Sequence, residues 1–273
     1  MNYYEFIEDV IEDKDIKDIS YANKIMENKE FHNVRLYDVD FEETIFNDVE
    51  FERISANNVN FKKCKMQSEQ LLFIGDFENC DWEESEIKYI ESISGKFTNN
   101  NFRKLKFEYS GFDDCELMYN NFEHANFNQC GLCGRLLKQN NFSTLKLNAA
   151  DINNSSIETN DFSNASISST MFKKIDFQRN NFKNVNISRT MFFYDIIEKC
   201  DFASAEIVGS KFFKCKFVES ELLDVVLENT DFAECEFKNI DFTSIKYENV
   251  TFTDCQFENV TFTEQQKKDF GLE

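Results

Sequence analysis

Large apolar residues return every five positions through most of the chain: Phe97, Phe102, Phe107, Phe112, Leu117, Phe122, Phe127, Leu132, Leu137, Phe142, and on to Phe252, Phe257 and Phe262. An earlier run, Phe31, Leu36, Phe41, Phe46, Phe51, Phe61 and Met66, keeps the spacing one residue out of phase, so an insertion lies between Met66 and Phe77. Of the 32 phenylalanines, 27 fall on these two grids. A spacing of five suits neither the helical 3.6 nor the strand period of two. The residue two before each large one is small, as at Cys115, Ala125, Cys130, Ala150, Ser155, Ala165, Thr170, Val185 and Ala205. Spacings of two and then three describe a short extended piece pointing in, out and in, followed by two outward residues that turn a corner. Each pentapeptide is one side of a coil.

A longer period sets the number of sides. Asn100-Asn101-Phe102 returns as Asn120-Asn121-Phe122, Asn140-Asn141-Phe142, Asn160-Asp161-Phe162 and Asn180-Asn181-Phe182, every 20 residues. Sorted by this period, the small inward residues form four chemically distinct columns. One holds the five asparagines with Cys80 and Cys200. A second holds Leu105, Ala125, Leu145 and Ala165, and a third holds Ser110, Cys130, Thr170 and Thr190. The fourth holds Cys115, Cys215, Cys235 and Cys255. Four columns imply four sides per turn, and a unit returning at a fixed interval implies stacked copies. Stacked asparagine amides bond to their neighbours in the column, which makes them architecture. Arg135 and Asp195 also fall on inward small positions and break the pattern.

Pieces such as Cys200-Asp201-Phe202-Ala203-Ser204 and Thr230-Asp231-Phe232-Ala233-Glu234 resemble the pentapeptide-repeat family. The resemblance covers about residues 31–262. It implies an all-β fold, a right-handed quadrilateral β-helix of 11–12 coils, roughly 55 Å long at the usual interstrand spacing. It also implies a non-enzymatic binding protein. Family members include DNA mimics that bind type II topoisomerases such as gyrase in place of duplex and confer quinolone resistance; others serve no known activity.

Residues 1–30 read as an N-terminal cap, in which Tyr3, Phe6, Ile7, Val10 and Ile11 have helical spacing. Solenoids need caps, because a bare end exposes core and strand edges. Residues 263–273 form a short polar tail whose Phe270 and Leu272 either cap the last coil or pair two chains as a homodimer. The chain contains no proline, which suits a backbone committed to coil-to-coil ladders.

Candidate chemistry is sparse. Eight of the nine cysteines occupy inward small positions and read as core, and Cys130 points in where Cys133 points out, so the Cys-x-x-Cys spacing is no redox motif. His32 and His124 stand between four and five coils apart and cannot share a site. There is no glycine loop for phosphates. The expectation is no catalytic residue, no cofactor and no metal site. No apolar run approaches a membrane span and the N-terminus lacks signal-peptide order, which predicts a cytoplasmic protein without membrane contact.

Charge points to a partner. The net charge is −21, with −10 in residues 1–50 and −9 in residues 201–273. Such a chain repels nucleic acid and favours a protein with a basic surface, for which the family resemblance suggests DNA gyrase or topoisomerase IV. The candidate contacts are Asp38, Asp40, Glu42, Glu43, Asp48 and Glu50 at one end and Glu219, Glu221, Asp224 and Glu228 at the other. An excess of acid that serves only solubility explains the charge equally well. A second candidate surface is apolar: Met171, Met191, Phe193, Tyr194 and Phe213 cluster outward on adjacent coils. It suits a dimer face, a binding site or a place for a terminal segment to fold back. Two readings therefore stand together, a topoisomerase-directed DNA mimic and a scaffold for an unrelated protein.

Overall fold

The protein is described from a computed structural model covering residues 8–68, 72–90 and 92–272. The chain forms two compact units, Met1–Leu136 and Leu137–Glu273. Each is a parallel β-solenoid.

The second unit shows how the five-residue spacing works. In one of its coils the sides are the strands Met191–Phe193 and Ile196–Glu198, a single bridge at Asp201, and the strand Glu206–Val208. Each pairs in parallel with the residue 20 further on: Met191 with Lys211, Ile196 with Lys216, Asp201 with Glu221, and Glu206 with Val226. Phe192, Ile197, Phe202 and Ile207 point in and are buried, each following a small buried residue two positions earlier. The turn between sides is made by one left-handed residue per pentapeptide, with φ between 48° and 61° at every such non-glycine position. Side chains other than glycine, asparagine and aspartate resist that conformation, at a cost of about 1 kcal/mol each. The cost is offset because the same residue's N–H donates to a carbonyl one coil on, as Tyr194 does to Phe213 (3.0 Å) and Lys199 to Val218 (2.9 Å).

All three residues of the Asn-Asn-Phe motif now have a physical role. The first asparagine is buried: Asn160 Nδ2 donates to Asn180 Oδ1 (3.2 Å) and to the Leu137 carbonyl (2.8 Å), and Asn100 likewise donates to Asn120 (3.1 Å) and Phe77 (2.9 Å). The second accepts from the backbone two residues on, as Asn101 Oδ1 does from Arg103 N (3.2 Å) and Asp201 Oδ1 from Ala203 N (3.0 Å). That Asx turn closes the one side which lacks a full strand. The phenylalanine stacks on its equivalents, with centroids 4.9 Å apart for Phe142–Phe162 and 4.8 Å for Phe182–Phe202.

The first unit corrects two expectations and refines one. Residues 10–27 are no helical cap but a further coil: Val10–Glu12, Asp15–Lys17 and Ile25–Glu27 are strands paired in parallel with residues 20 further on. The five-residue grid runs back through Ile11, Ile16, Tyr21 and Met26, all buried, and isoleucine, tyrosine and methionine serve where phenylalanine serves later. Tyr3, Phe6 and Ile7 lie outside the described residues. The expected slip between Met66 and Phe77 is one residue overall, as Met66 pairs with Ile87, 21 on, but it is not made in one step. Phe46 pairs with Met66, 20 residues on, but Phe51 pairs with Phe73, 22 on, and a bulge then brings Ile54 opposite Gly75, 21 on. Around this slip the corner is lost at Gly75 and Gly95, while Arg53 keeps the left-handed conformation (φ 56°) within an unbroken strand. Glu50–Asn57, Leu72–Glu78 and Ser92–Thr98 each run through two sides. Gly75 and Gly95 sit mid-strand because the chains approach there: a Cβ on Gly75 would lie 2.4 Å from the Ile54 carbonyl oxygen, and one on Gly95 1.8 Å from that of Gly75.

Arg135 is the second correction. It points out, bound through Nε and Nη2 to the two oxygens of Asp114, while Gly134 takes the buried position. A guanidinium inside the coil would have no partner for its charge, so the corner shifts by one residue.

At the other end of the chain, Glu264–Phe270 is a helix opened by a Thr263–Gln266 capping box and closed by left-handed Gly271. Gln266 Nε2 donates to the Phe242 carbonyl (2.7 Å), and Phe270 packs on Tyr247, Phe252 and Phe262 at centroid distances of 4.8–6.0 Å. Phe270 is thus occupied by its own last coil.

Candidate functional site

The acidic residues of the second unit sort by side. On two of the three strand sides they alternate with lysines one coil apart, giving Lys211–Asp231 (3.7 Å), Lys214–Glu234 (3.3 Å), Lys216–Glu236 (2.8 Å) and Lys238–Glu258 (2.7 Å). The other two sides differ. Glu206, Glu228 and Glu248 project from successive strands of one side, and Glu221, Asp224 and Asp241 from the bridge side beside it. Among the described residues none of these six carboxylates forms an ion pair, although Lys246 shares the strand side. Glu219 stands apart from the group named with it, because Lys199 reaches it at 3.6 Å and Glu198 at 3.1 Å. Those two carboxylates, the Glu198 hydrogen bond first, raise the Lys199 pKa.

Of the candidates expected from sequence, the structure therefore groups Glu221, Asp224 and Glu228 and adds Glu206, Asp241 and Glu248 to them. Asp241 and Glu248 carry a legible signal, a spacing of 20 from Glu221 and Glu228, whereas Glu206 pairs with Val226 and carries none. Glu221 stands where the column has aspartate or asparagine. Its longer side chain makes no Asx turn and stays in solvent.

In the first unit the candidates are scattered around the coil and tied locally. Asp40 accepts from Ser20 Oγ (3.0 Å), Asn60 Nδ2 (2.9 Å) and Glu42 N (3.0 Å), and Asp48 from Ser68 Oγ (2.9 Å). Asn58 Nδ2 donates to Asp38, and Lys63 pairs with Glu43 (3.0 Å) and touches Glu42 (4.0 Å). Glu50 lies apart from these, opposite Glu30 and beside His32.

The apolar candidates do come together. Met171 pairs with Met191, and Phe193 with Phe213, on successive strands of one side. The Phe193 and Phe213 rings meet edge to face at 6.3 Å, Tyr194 meets Phe213 at 5.9 Å, and Lys214 Nζ lies over both Phe213 (4.9 Å) and Tyr194 (5.7 Å). Met191 is 43% and Tyr194 48% exposed, so the patch is open to solvent.

All nine cysteines are free, and Cys133 faces outward from buried Cys130. Burial pushes the thiols of Cys80 and Cys130 up to about 12 and that of Cys200 to about 11, which leaves them un-ionised and poor nucleophiles. Asp195 is the exception inside the second unit. It is fully buried, Oδ1 accepts from Ile175 N at 2.7 Å, and Oδ2 has no partner. Burial raises its pKa to about 7. Among the described residues, no helix is long and apolar enough to cross a membrane.

Comparison with known proteins agrees with this repeat architecture. Residues 195–270 match the family model described as the pentapeptide repeat region. No match was found among curated proteins. Solved structures with similar coordinates include QnrB1, a plasmid-mediated fluoroquinolone resistance protein, at 12% identity, covering 68% of this chain and 98% of that one with a TM-score of 0.41. HetL, a pentapeptide repeat protein involved in heterocyst differentiation regulation from the cyanobacterium Nostoc, is 11% identical and covers 93% and 90% of the two chains with a TM-score of 0.22. The periplasmic alginate epimerase AlgG, as a double mutant, is 8% identical and covers 86% and 74% with a TM-score of 0.47. At these identities and TM-scores the likenesses say nothing of what this chain binds. Residues 195–270 are a pentapeptide repeat region by this match, and the five-residue period and four-sided coils continue the same pattern on either side of it.

Proposed function

We propose that this chain is a binding protein whose two acidic sides, unpaired over residues 206–248, occupy a basic, duplex-binding surface on a type II topoisomerase, with gyrase the first candidate. The observation that carries the reading is the sorting of charge: between residues 211 and 258 lysines pair with acidic residues on two sides, and Glu206, Glu228, Glu248, Glu221, Asp224 and Asp241 form no ion pair on the other two. Six carboxylates over about three coils amount to one per roughly 2.4 Å, against one per about 1.7 Å in duplex DNA. A rigid acidic face of that density attracts a basic cleft at long range and needs no reorganisation to dock.

The test is a gyrase supercoiling assay with purified protein added, with and without a quinolone. Inhibition or drug protection at micromolar protein, weakened by salt and lost in Glu221→Lys/Asp224→Lys/Glu228→Lys, is the expected result. No effect on the enzyme, or an effect indifferent to the reversal, overturns the reading. A second reading, a scaffold docking through Met191, Phe193, Tyr194 and Phe213, is favoured by the exposure of that patch. It requires salt-insensitive partner capture that Phe193→Ser and Phe213→Ser abolish.

A further inference from the structure

In the first unit, the parallel strands Glu30–His32 and Glu50–Asn57 pair with Glu30 opposite Glu50 and His32 opposite Glu52. Phe31 and Phe51 point in, so these four side chains share the outer face of two adjacent coils. The His32 ring lies between carboxylates. Nε2 is 3.1 Å from Glu30 Oε2 and Nδ1 is 2.9 Å from Glu52 Oε2, and ligand atoms of His32, Glu50 and Glu52 all lie within 4.8 Å of one another. A neutral imidazole carries one N–H. If Nε2–H is donated to Glu30, the Nδ1 lone pair confronts a carboxylate oxygen at hydrogen-bond distance, and a cation between them turns that repulsion into two bonds. Little else supplies positive charge there: Arg53 touches the other oxygen of Glu52, at 3.6 Å, and Lys29 is turned to Asp9.

We propose that His32 Nδ1, Glu50 and Glu52 bind a divalent cation of the zinc class, with Glu30 as the partner that orients the imidazole. Two tetrahedral ligands each roughly 2.1 Å from one ion stand about 3.4 Å apart, so the 2.9 Å separation of Nδ1 and Glu52 Oε2 needs only a small side-chain shift to admit the ion. A carboxylate on the second ring nitrogen is the usual device for fixing the tautomer of a ligating histidine. One imidazole with two carboxylates selects Zn²⁺, Co²⁺ or Ni²⁺ over Mg²⁺ and Ca²⁺, which take oxygen ligands. Three protein ligands leave coordination positions open to water or to a partner's side chain. Within the strand geometry this is economical, because two residues facing each other across a parallel ladder stand about 4.8 Å apart, within reach of one ion.

Calorimetric titration of the full chain with Zn²⁺ at neutral pH tests the site. The expected result is one equivalent bound at micromolar affinity, no response to Mg²⁺, and affinity lowered at least about tenfold by His32→Ala or Glu52→Gln and about tenfold by Glu30→Gln. The Co²⁺ complex should show no thiolate charge-transfer band. Circular dichroism of the chelated variants should match the unsubstituted protein, since the three side chains lie on the surface. Absence of Zn²⁺ binding, binding undiminished in His32→Ala, or a thiolate band overturns the proposal and leaves a protonated His32 bridging two glutamates.

Discussion

The two units use one repeat in different ways. In the second unit every described pairing joins residues 20 apart, so each column is continuous and its chemistry is shared from coil to coil. In the first unit the offset passes through 22, 21 and 19, and the chain absorbs the slip by straightening a corner in two coils, with Gly75 and Gly95 where the backbones meet. The difference teaches that the corner, with its left-handed residue, is the adjustable part of the fold. The inward aromatic positions are kept even where the corner is removed: Phe73 and Phe77 remain buried and stacked at 4.9 Å.

The comparison breaks most easily at the glycines. Gly95→Ala forces a methyl group into the Gly75 carbonyl at a φ of +126°, and is expected to cost about 3 kcal/mol or more by urea denaturation. Gly209→Ala, at a regular corner with φ +61° and its nearest neighbour 3.8 Å away, should cost about 1 kcal/mol. Equal costs would mean that the straightened corner is no tighter than an ordinary one.

Asp195 sharpens the comparison from the other unit. Other inward small positions carry donors, as Thr230 Oγ1 bonds the Ile207 and Glu228 carbonyls and Cys215 Sγ, one coil on in the same column, those of Phe192 and Phe213. Only a protonated aspartate donates in that way. Its pKa rises from the ordinary 3.8 to about 7 on folding, because burial disfavours the charged form. Between those values the folded protein holds a proton that the unfolded chain has released, so its contribution is full below the lower value and is lost as pH rises through the higher. Denaturation at acidic and mildly alkaline pH should show this loss in the unsubstituted protein and not in Asp195→Asn, whose amide donates at any pH. Parallel pH profiles for the two proteins would show that Oδ2 carries no proton.

The smallest effect is expected on the lysine-bearing sides. Lys216 and Glu236 are each about half exposed, and Lys216→Gln should change stability by less than about 1 kcal/mol, because solvent screens such pairs. Its use is as a control: the substitution adds net negative charge on the paired sides, and topoisomerase inhibition that responds to it as strongly as to Glu221→Lys would place binding in total charge, not in the unpaired sides.

Much of this architecture is legible in the residues. The five- and 20-residue periods announce four-sided coils, the Asn-Asn-Phe motif announces a buried ladder, and the cysteine spacing announces core packing. The N-terminal coil escaped notice because Ile11, Ile16, Tyr21 and Met26 keep the spacing without phenylalanine, and the helical spacing of a few nearby apolar residues competes with it. The apolar cluster around Phe193 was readable because outward positions repeat as faithfully as inward ones.

By itself the sequence determined the coil, because a side chain's direction follows from its place in the pentapeptide and burial of a large apolar residue at each fifth position outweighs the left-handed corner. Only the tertiary structure decided which charges remain. Whether a carboxylate meets a lysine depends on what stands one coil away and how far each side chain reaches. Lys199 therefore takes Glu219 out of the acidic group, Asp241 and Glu248 enter it, and His32 comes to lie between glutamates from two coils. The raised pKa of Asp195 is likewise set by its burial.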